Sequence, residues 1–455
     1  MKARMFMIRR SEFHLPYHLF ILLLATGAGL ACLLQLKDPL AADAFLGMLL
    51  PLIGLCCLSL LLGAALGSDL EFHMAAAILL LLGAALQCLL DPDYGPMLVR
   101  IWWAAGICGG ICLAGWLLGG RRLCRQQPGL VLILLAGINL LVFAALFLFG
   151  AEIGGTKAWL SVGSGSIQLT ELIKLTAVFY YGLLCAQEGW SWSRRFLLAW
   201  SYLLFNAGSL LLLNELGTLM LLLALHMVLC SLFFPLRCTG LNIGVTAGLG
   251  ALGMLLLDVC SSLAERGVAA GTKLFSLLEK ASAIQEKLLL RFSLLRDLET
   301  LDPYGSAYQG IQARNAVLLG GAFGSDGTAY VPVAESDFVF VYLVNRLGLV
   351  FGLLTLVLFT WLFAAGIRQY LAVEDRLEQA VAAAAVCSIF LQFLVMLFGS
   401  TGFFLLTGVP IPFLSRAGTY SVVLGVLLAF LLYGGRRREL FWHDGAHWGK
   451  MKGGC

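Results

Sequence analysis

Charge is what this sequence has least of. Only 12% of its 455 residues are Asp, Glu, Lys or Arg, about half the share of an ordinary soluble domain, and that scarcity excludes a water-solvated globule. The imbalance of 30 Lys and Arg over 26 Asp and Glu is too small to recruit nucleic acid. Thirteen cysteines are present, but there is no Cys-x-x-Cys pair. Cys56, Cys57, Cys88, Cys108, Cys112 and Cys387 lie inside apolar runs and read as small packing residues rather than metal or redox groups. Internal repeats and low-complexity linkers are missing too. The basic stretch Met1 to Arg10 is not followed by a small-residue cleavage site, so the first apolar run reads as a retained helix.

Long apolar runs are abundant. They fall at 16–36, 43–66, 72–90, 97–119, 129–150, 171–187, 195–213, 216–234, 241–260, 338–366, 380–404 and 413–433. Most approach the roughly 20 residues a helix needs to cross a ~30 Å hydrocarbon layer. The expected fold is all-α: a polytopic integral membrane protein of about twelve transmembrane helices. Arg9 and Arg10, Arg121, Arg122 and Arg125, Arg194 and Arg195, Arg237, Arg368 and Arg376, and Arg436 to Arg438 all fall in alternate connections. By the positive-inside rule these connections and both termini are cytoplasmic. The other connections are extracytoplasmic, and they include the one long connection, 261–337. The chain divides into N-terminal helices (1–128), a membrane core (129–435) and a cytoplasmic tail (436–455).

Within the long connection, Leu274, Leu277, Leu278, Ile284, Leu288, Leu289 and Leu295 recur at helical spacing among charges. That pattern predicts an amphipathic helix over 271–300 on the outer membrane surface. The remainder, 302–337, is rich in Gly and polar residues, and a long connection of this kind usually carries function.

Four clusters map to that same expected outer side. The first runs Gly155-Thr156-Lys157-Ala158-Trp159 and continues to Gln168, Glu171 and Lys174; Glu171 and Lys174 share one helix face. In the second, Asn214-Glu215-Leu216-Gly217-Thr218, a carboxylate interrupts two apolar runs, and such a carboxylate is costly unless it has a purpose. The third comprises Tyr308, Gln309, Gln312, Arg314, Pro332, Glu335, Ser336 and Asp337. Asp337 directly precedes an apolar helix, so the local sequence favours a helix N-cap, with a general base as the other reading. The fourth, Thr407-Gly408-Val409-Pro410-Ile411-Pro412-Phe413-Leu414-Ser415, breaks the chain between two helices, and irregular backbone at that depth needs protein or a watery cavity around it.

In this order the clusters resemble the SEDS family of bacterial cell-wall proteins, which includes FtsW, RodA and SpoVE. Gly155, Lys157, Trp159, Gln168, Glu171 and Lys174 fit the family's Gly-Ala-Lys-Arg-Trp motif and the Gln-Pro-Ser-Glu and Lys beyond it. Asn214 to Thr218 is similar to Pro-Asp-Leu-Gly-Thr, with Glu215 in place of Asp, and Tyr308, Gln309 and Gln312 match a Gly-Tyr-Gln motif. Val331 to Phe340 resembles Leu-Pro-Glu-x-His-Thr-Asp-Phe-Ile-Phe, and Thr407 to Ser415 matches Thr-Gly-x-Pro-x-Pro-Phe-x-Ser. The sequence departs at Val333 (Glu in the family), Glu335 (His), Ser336 (Thr), Arg416 and Ala417 (Tyr and Gly), Asn345 and Arg346 (an acidic pair) and Met396 (Asn). Five apolar runs precede the Gly155 motif, where the family has three, giving a core of about ten helices plus two extra N-terminal spans.

The resemblance implies a glycosyltransferase that polymerises lipid II outside the cytoplasmic membrane beside a class B penicillin-binding protein. Asp337 is then the general base. The candidate substrate-binding residues are Lys157, Trp159, Lys174, Glu171, Gln309, Gln312, Arg314, Glu215 and Ser415. Lys157, Lys174 and Arg314 are the candidates for meeting a diphosphate. A divalent cation, Mg or Mn, stays open as a cofactor beside Glu215. The competing readings are a flippase for a lipid-linked precursor, with a path along His226, Asp258 and Gln392, and a non-catalytic scaffold.

Overall fold

The computed structural model describes residues 14–433 except 164, 269–271, 297–300, 303, 305–306 and 326–328. The basic N-terminal stretch and the 436–455 tail lie outside the described residues. The chain runs α1 (His14–Lys37), α2 (Pro39–Leu66), α3 (Leu70–Leu90), α4 (Gly95–Gly115), α5 (Arg121–Gln126), α6 (Pro128–Phe149), β1 (Ala151–Ile153), β2 (Thr156–Val162) and β3 (Gly165–Gln168). It continues through α7 (Thr170–Ala186), α8 (Trp192–Leu212), α9 (Leu216–Phe233), α10 (Leu236–Glu265), α11 (Lys273–Arg296) and α12 (Tyr308–Gly320). The last elements are α13 (Val339–Leu347), α14 (Leu349–Ala372), α15 (Arg376–Ser400) and α16 (Gly418–Leu432).

Polar punctuation sets the helix limits. Asp38 accepts from the Leu40 and Ala41 amides to cap α2, and Pro39 occupies the first turn, where a missing N–H costs nothing. Asp375 caps α15 in the same way through Leu377 and Glu378. Among the described residues ten helical segments are long and apolar enough to cross a membrane. α7 and α16, 17 and 15 residues long, fall on the apolar runs 171–187 and 413–433. This is a multi-pass membrane protein.

α3 and α15 lie innermost: 94% of the apolar stretch of α3 is buried and 72% of that of α15, against none of that of α10. α7 packs on α15, α4 on α16, and α14, α1 and α2 on α3. A polar cluster, Asn139, Thr176, Tyr202 and Asn206, ties α6, α7 and α8 together inside the bundle through bonds of 2.5–2.9 Å from Thr176 to Asn139 and from Asn139 to Tyr202 and Asn206.

Two expectations need amendment. The all-α reading omits a three-stranded antiparallel sheet, β1-β2-β3, in the connection 151–168. Trp159 pairs with Ala151 on one side and Gln168 on the other. In addition, α11 does not lie alone on a surface. It packs antiparallel along α10, with Ser282 and Ser261 hydroxyls 3.2 Å apart and Gln285 donating to Asp258 at 3.3 Å. α10 has 30 residues, more than the ~20 a crossing needs, so its final turns are available as a partner.

Basic residues assemble at one end of the bundle. Arg125 pairs with Asp375 at 2.9 Å, Arg376 with Glu188 at 2.9 Å and Arg368 with Asp69 at 3.3 Å, while Arg194 and Arg237 stack on Trp190 and Trp192. The sheet, the 214–215 break and the 401–417 connection lie at the other end.

Candidate active site

At the sheet-bearing end, the four sequence clusters meet. Gly217, at the start of α9, lies so close to the 407–415 break that a Cβ there would stand 2.5 Å from the Thr407 carbonyl oxygen. Gly408 has φ +68, and a Cβ on it would stand 3.5 Å from Asp337 Oδ2. These two glycines therefore bring the Glu215 turn and the Asp337 loop onto one irregular segment. The Lys157 amide donates to the Leu213 carbonyl at 3.0 Å and the Gln168 amide to Thr419 Oγ1 at 3.2 Å, which adds the sheet.

The two loops are stitched together by backbone-directed bonds. Ser415 Oγ accepts from the Ile411 amide at 2.8 Å and donates to the Ser336 carbonyl at 2.7 Å. The Arg416 amide donates to the Glu335 carbonyl at 2.7 Å, and Gln87 Nε2 donates to the Glu335 and Leu414 carbonyls at 3.1 and 2.8 Å. Arg416, at a position where the family motif has Tyr, pairs with Asp91 at 2.6 Å and stacks 3.3 Å above the Tyr94 ring. That contact holds the Asp91 carboxyl below its ordinary range.

Asp337 does not cap a helix. α13 starts at Val339, and its N-cap, Phe338, makes no side-chain capping bond. The Asp337 side chain is half-buried and accepts from Ser336 Oγ at 3.1 Å. Burial raises its pKa above the ordinary carboxylate value; the Ser336 bond opposes this, while the Glu335 and Glu215 charges add to it.

Backbone strain gathers at the same place. Among the described residues, only Asn214 (φ 63), Val333 (φ 47) and Phe413 (φ 66) have positive φ without being glycine, one in each of the three breaks. Such conformations cost about 1–3 kcal/mol each and persist where the surroundings impose them, often at functional sites. Several buried polar atoms here have no hydrogen-bond partner: Gln87 Oε1, Thr170 Oγ1, Asn214 Oδ1, Thr407 Oγ1 and Tyr420 OH. Polar groups of this kind are ordinarily satisfied, so the cluster is suited to receiving a polar ligand.

The other sequence candidates fall into three groups. Glu171 and Lys174 are 1% and 3% exposed and form an ion pair at 2.7 Å. Lys174 also donates to Gln392 Oε1 at 3.3 Å, and Gln392 donates to the Pro410 carbonyl at 2.8 Å. Lys174 is thus engaged in holding the break, as is the buried Ser415 hydroxyl. Glu215 is buried and accepts from Thr218 at 3.2 Å. In the second group, Lys157 and Trp159 lie half-buried on β2, and Lys157 Nζ donates to the Phe147 carbonyl at 2.8 Å. In the third, Gln309, Gln312 and Arg314 lie on α12, with Gln309 and Arg314 exposed. α12 is held on α13 by Asn345 Nδ2, which donates to the Ala316 carbonyl at 2.8 Å.

Two residues were not anticipated. Lys287 on α11 donates to the carbonyls of Gly155 and Asn214, each at 3.3 Å, and both Lys287 and Arg291 lie in the field of Glu215. Burial lowers the pKa of each, and Glu215 opposes the shift. Their only sequence signal was a four-residue spacing of two cations on one face of an amphipathic helix. Among the described residues no group of three or more His, Cys, Asp or Glu side chains converges to hold a metal ion.

Residues 122–436 match the cell cycle protein family of FtsW, RodA and SpoVE. Stage V sporulation protein E of Bacillus subtilis is 35% identical over 137 residues, covering 29% of this chain and 37% of that protein. Over greater lengths, a probable peptidoglycan glycosyltransferase FtsW of Pseudomonas fluorescens is 26% identical across 84% of this chain and 90% of its own. The peptidoglycan glycosyltransferase RodA of Mycobacterium tuberculosis is 27% identical across 75% and 70%. Among solved structures, a chain of a peptidoglycan synthase complex aligns over 81% of this chain and 97% of its own, with TM-score 0.60 at 21% identity. The rod shape determining protein RodA of Thermus thermophilus aligns over the same shares with TM-score 0.52 at 21% identity, so both share the fold. With its family motifs gathered at one end of that fold, this chain belongs to the FtsW/RodA/SpoVE family of cell cycle proteins.

Proposed function

We propose that this protein is a peptidoglycan glycosyltransferase that polymerises lipid II, with Asp337 as general base. The observation that carries this reading is the placement of Asp337: a carboxylate released from capping, raised in pKa by burial, and set against Gly408 in a strained break lined with unpartnered polar atoms. In the reaction, a sugar hydroxyl oxygen bonds to an anomeric carbon as that carbon's bond to the lipid diphosphate breaks. The hydroxyl proton passes to the Asp337 carboxylate, and the bonding pair leaves on the diphosphate. Diphosphate is a good leaving group, so one base and some positive charge suffice. Glu171 and Lys174 brace the break, while Trp159 and the 410–412 turn shape the groove.

The sidedness follows from charge. Arg121, Arg125, Arg368 and Arg376 lie at the end opposite Asp337, which by the positive-inside rule supports a cytoplasmic basic end, cytoplasmic termini and an extracytoplasmic site. A class B penicillin-binding protein is the proposed partner, a reading supported by the likeness to a chain of a peptidoglycan synthase complex.

A flippase would need uncommitted polar groups at mid-membrane depth. His226 instead lies 3.2 Å from the Tyr181 hydroxyl, and Asp258 and Gln392 are bonded to Gln285, Lys174 and Pro410. The discriminating experiment supplies lipid II to the purified protein, once in detergent and once in sealed vesicles. Glycan polymer in detergent is the expected result. Reorientation of lipid II in vesicles without polymer would replace this reading with transport.

A further inference from the structure

Lys287 and Arg291 are four residues apart and so share one face of α11. Lys287 bonds the Gly155 and Asn214 carbonyls, which anchors this face of α11 over the sheet turn and the Glu215 break. Arg291 follows one turn later. Its Nη1 is buried with no hydrogen-bond partner, and Glu215, whose field also reaches Asp337, faces it electrostatically. Lys174 and Lys157 cannot serve the same purpose as directly, because the first is committed to Glu171 and Gln392 and the second to the Phe147 carbonyl.

We propose that Arg291 is the residue that binds the diphosphate of the lipid-linked substrate, with α11 acting as the arm that carries it to the site. The inference rests on the polymerase reading for its substrate. Its physical basis is separate: a planar guanidinium fork matches two oxygens of a diphosphate, and an unpartnered buried N–H gains a partner when that ligand arrives. On this account an arginine, rather than a lysine, is needed, because discrimination depends on the fork.

The test measures binding of farnesyl diphosphate and farnesyl monophosphate to the purified full-length protein in detergent. The parent binds the diphosphate more tightly. Arg291→Ala weakens diphosphate binding about 10- to 100-fold, changes monophosphate binding less, and raises KM for lipid II. Arg291→Lys keeps the charge but loses most of the diphosphate preference. Should Arg291→Ala fail to fold, the preference ratio of Arg291→Lys decides alone. An unchanged ratio, or equal loss of both ligands, overturns the proposal. A parent that binds the diphosphate selectively yet makes no glycan would defeat the polymerase reading and leave this site standing.

Discussion

Glu335 acts on Asp337 through its charge. Its exposed carboxylate and that of Glu215 both push the Asp337 pKa up, on top of burial. A base works deprotonated, so a raised pKa shifts the acidic limb of the pH–activity profile above the ordinary carboxylate range. Glu335→Gln removes one of those charges, and the limb moves to lower pH while the plateau rate holds. A kcat profile across the acidic range checks this; an unmoved or upward-moving limb contradicts it. Asp337 itself was legible as a charged residue at a helix start, but the sequence could not separate cap from base. That depends on whether the helix begins at 338 or 339 and on where Gly408 lies. Lys287 and Arg291 were illegible, because their role depends on how α11 packs against α10, and periodicity does not encode a partner.

At the scale of elements, the buried pair between α7's Glu171 and Lys174 is a brace. Removing one member leaves an uncompensated charge in a low-dielectric interior, a loss of about 3–5 kcal/mol, whereas replacing both by apolar side chains restores much of it. Lys174→Met is therefore expected to melt well below the parent in detergent, and Glu171→Leu combined with Lys174→Met to recover; a double variant no more stable than the single one argues against a brace. Gly217 is the second element-level contact. Gly217→Val would press on the Thr407 carbonyl, and overpacking of this type costs about 1–3 kcal/mol; polymerisation should fall sharply while the helix content by circular dichroism stays level. Apolar runs made most helices readable in advance. The sheet at 151–168 was not, because seven residues of β2 carry no strict alternation and their pairing depends on turns around Gly155 and Gly163.

For the whole molecule, sidedness is the consequence most open to measurement. In a cysteine-free background, a cysteine at Ser161 should react with a membrane-impermeant maleimide on intact cells, and one at Ser193 only after permeabilisation; the reverse pattern would invert the assignment. The multi-pass membrane fold was readable from hydrophobic length, because that signal comes from the bilayer and not from tertiary packing. The depth of α3 in the bundle was not readable, since apolar residues all round a helix read alike whether lipid or protein surrounds them. The central claim is that the Asp337 carboxylate takes the proton from the attacking sugar hydroxyl. Its most direct test compares kcat for lipid II polymerisation by the purified parent and Asp337→Asn, both confirmed folded by melting. A fall of about 10²- to 10⁴-fold is expected, and polymerisation at the parent's rate by the asparagine variant would contradict the account.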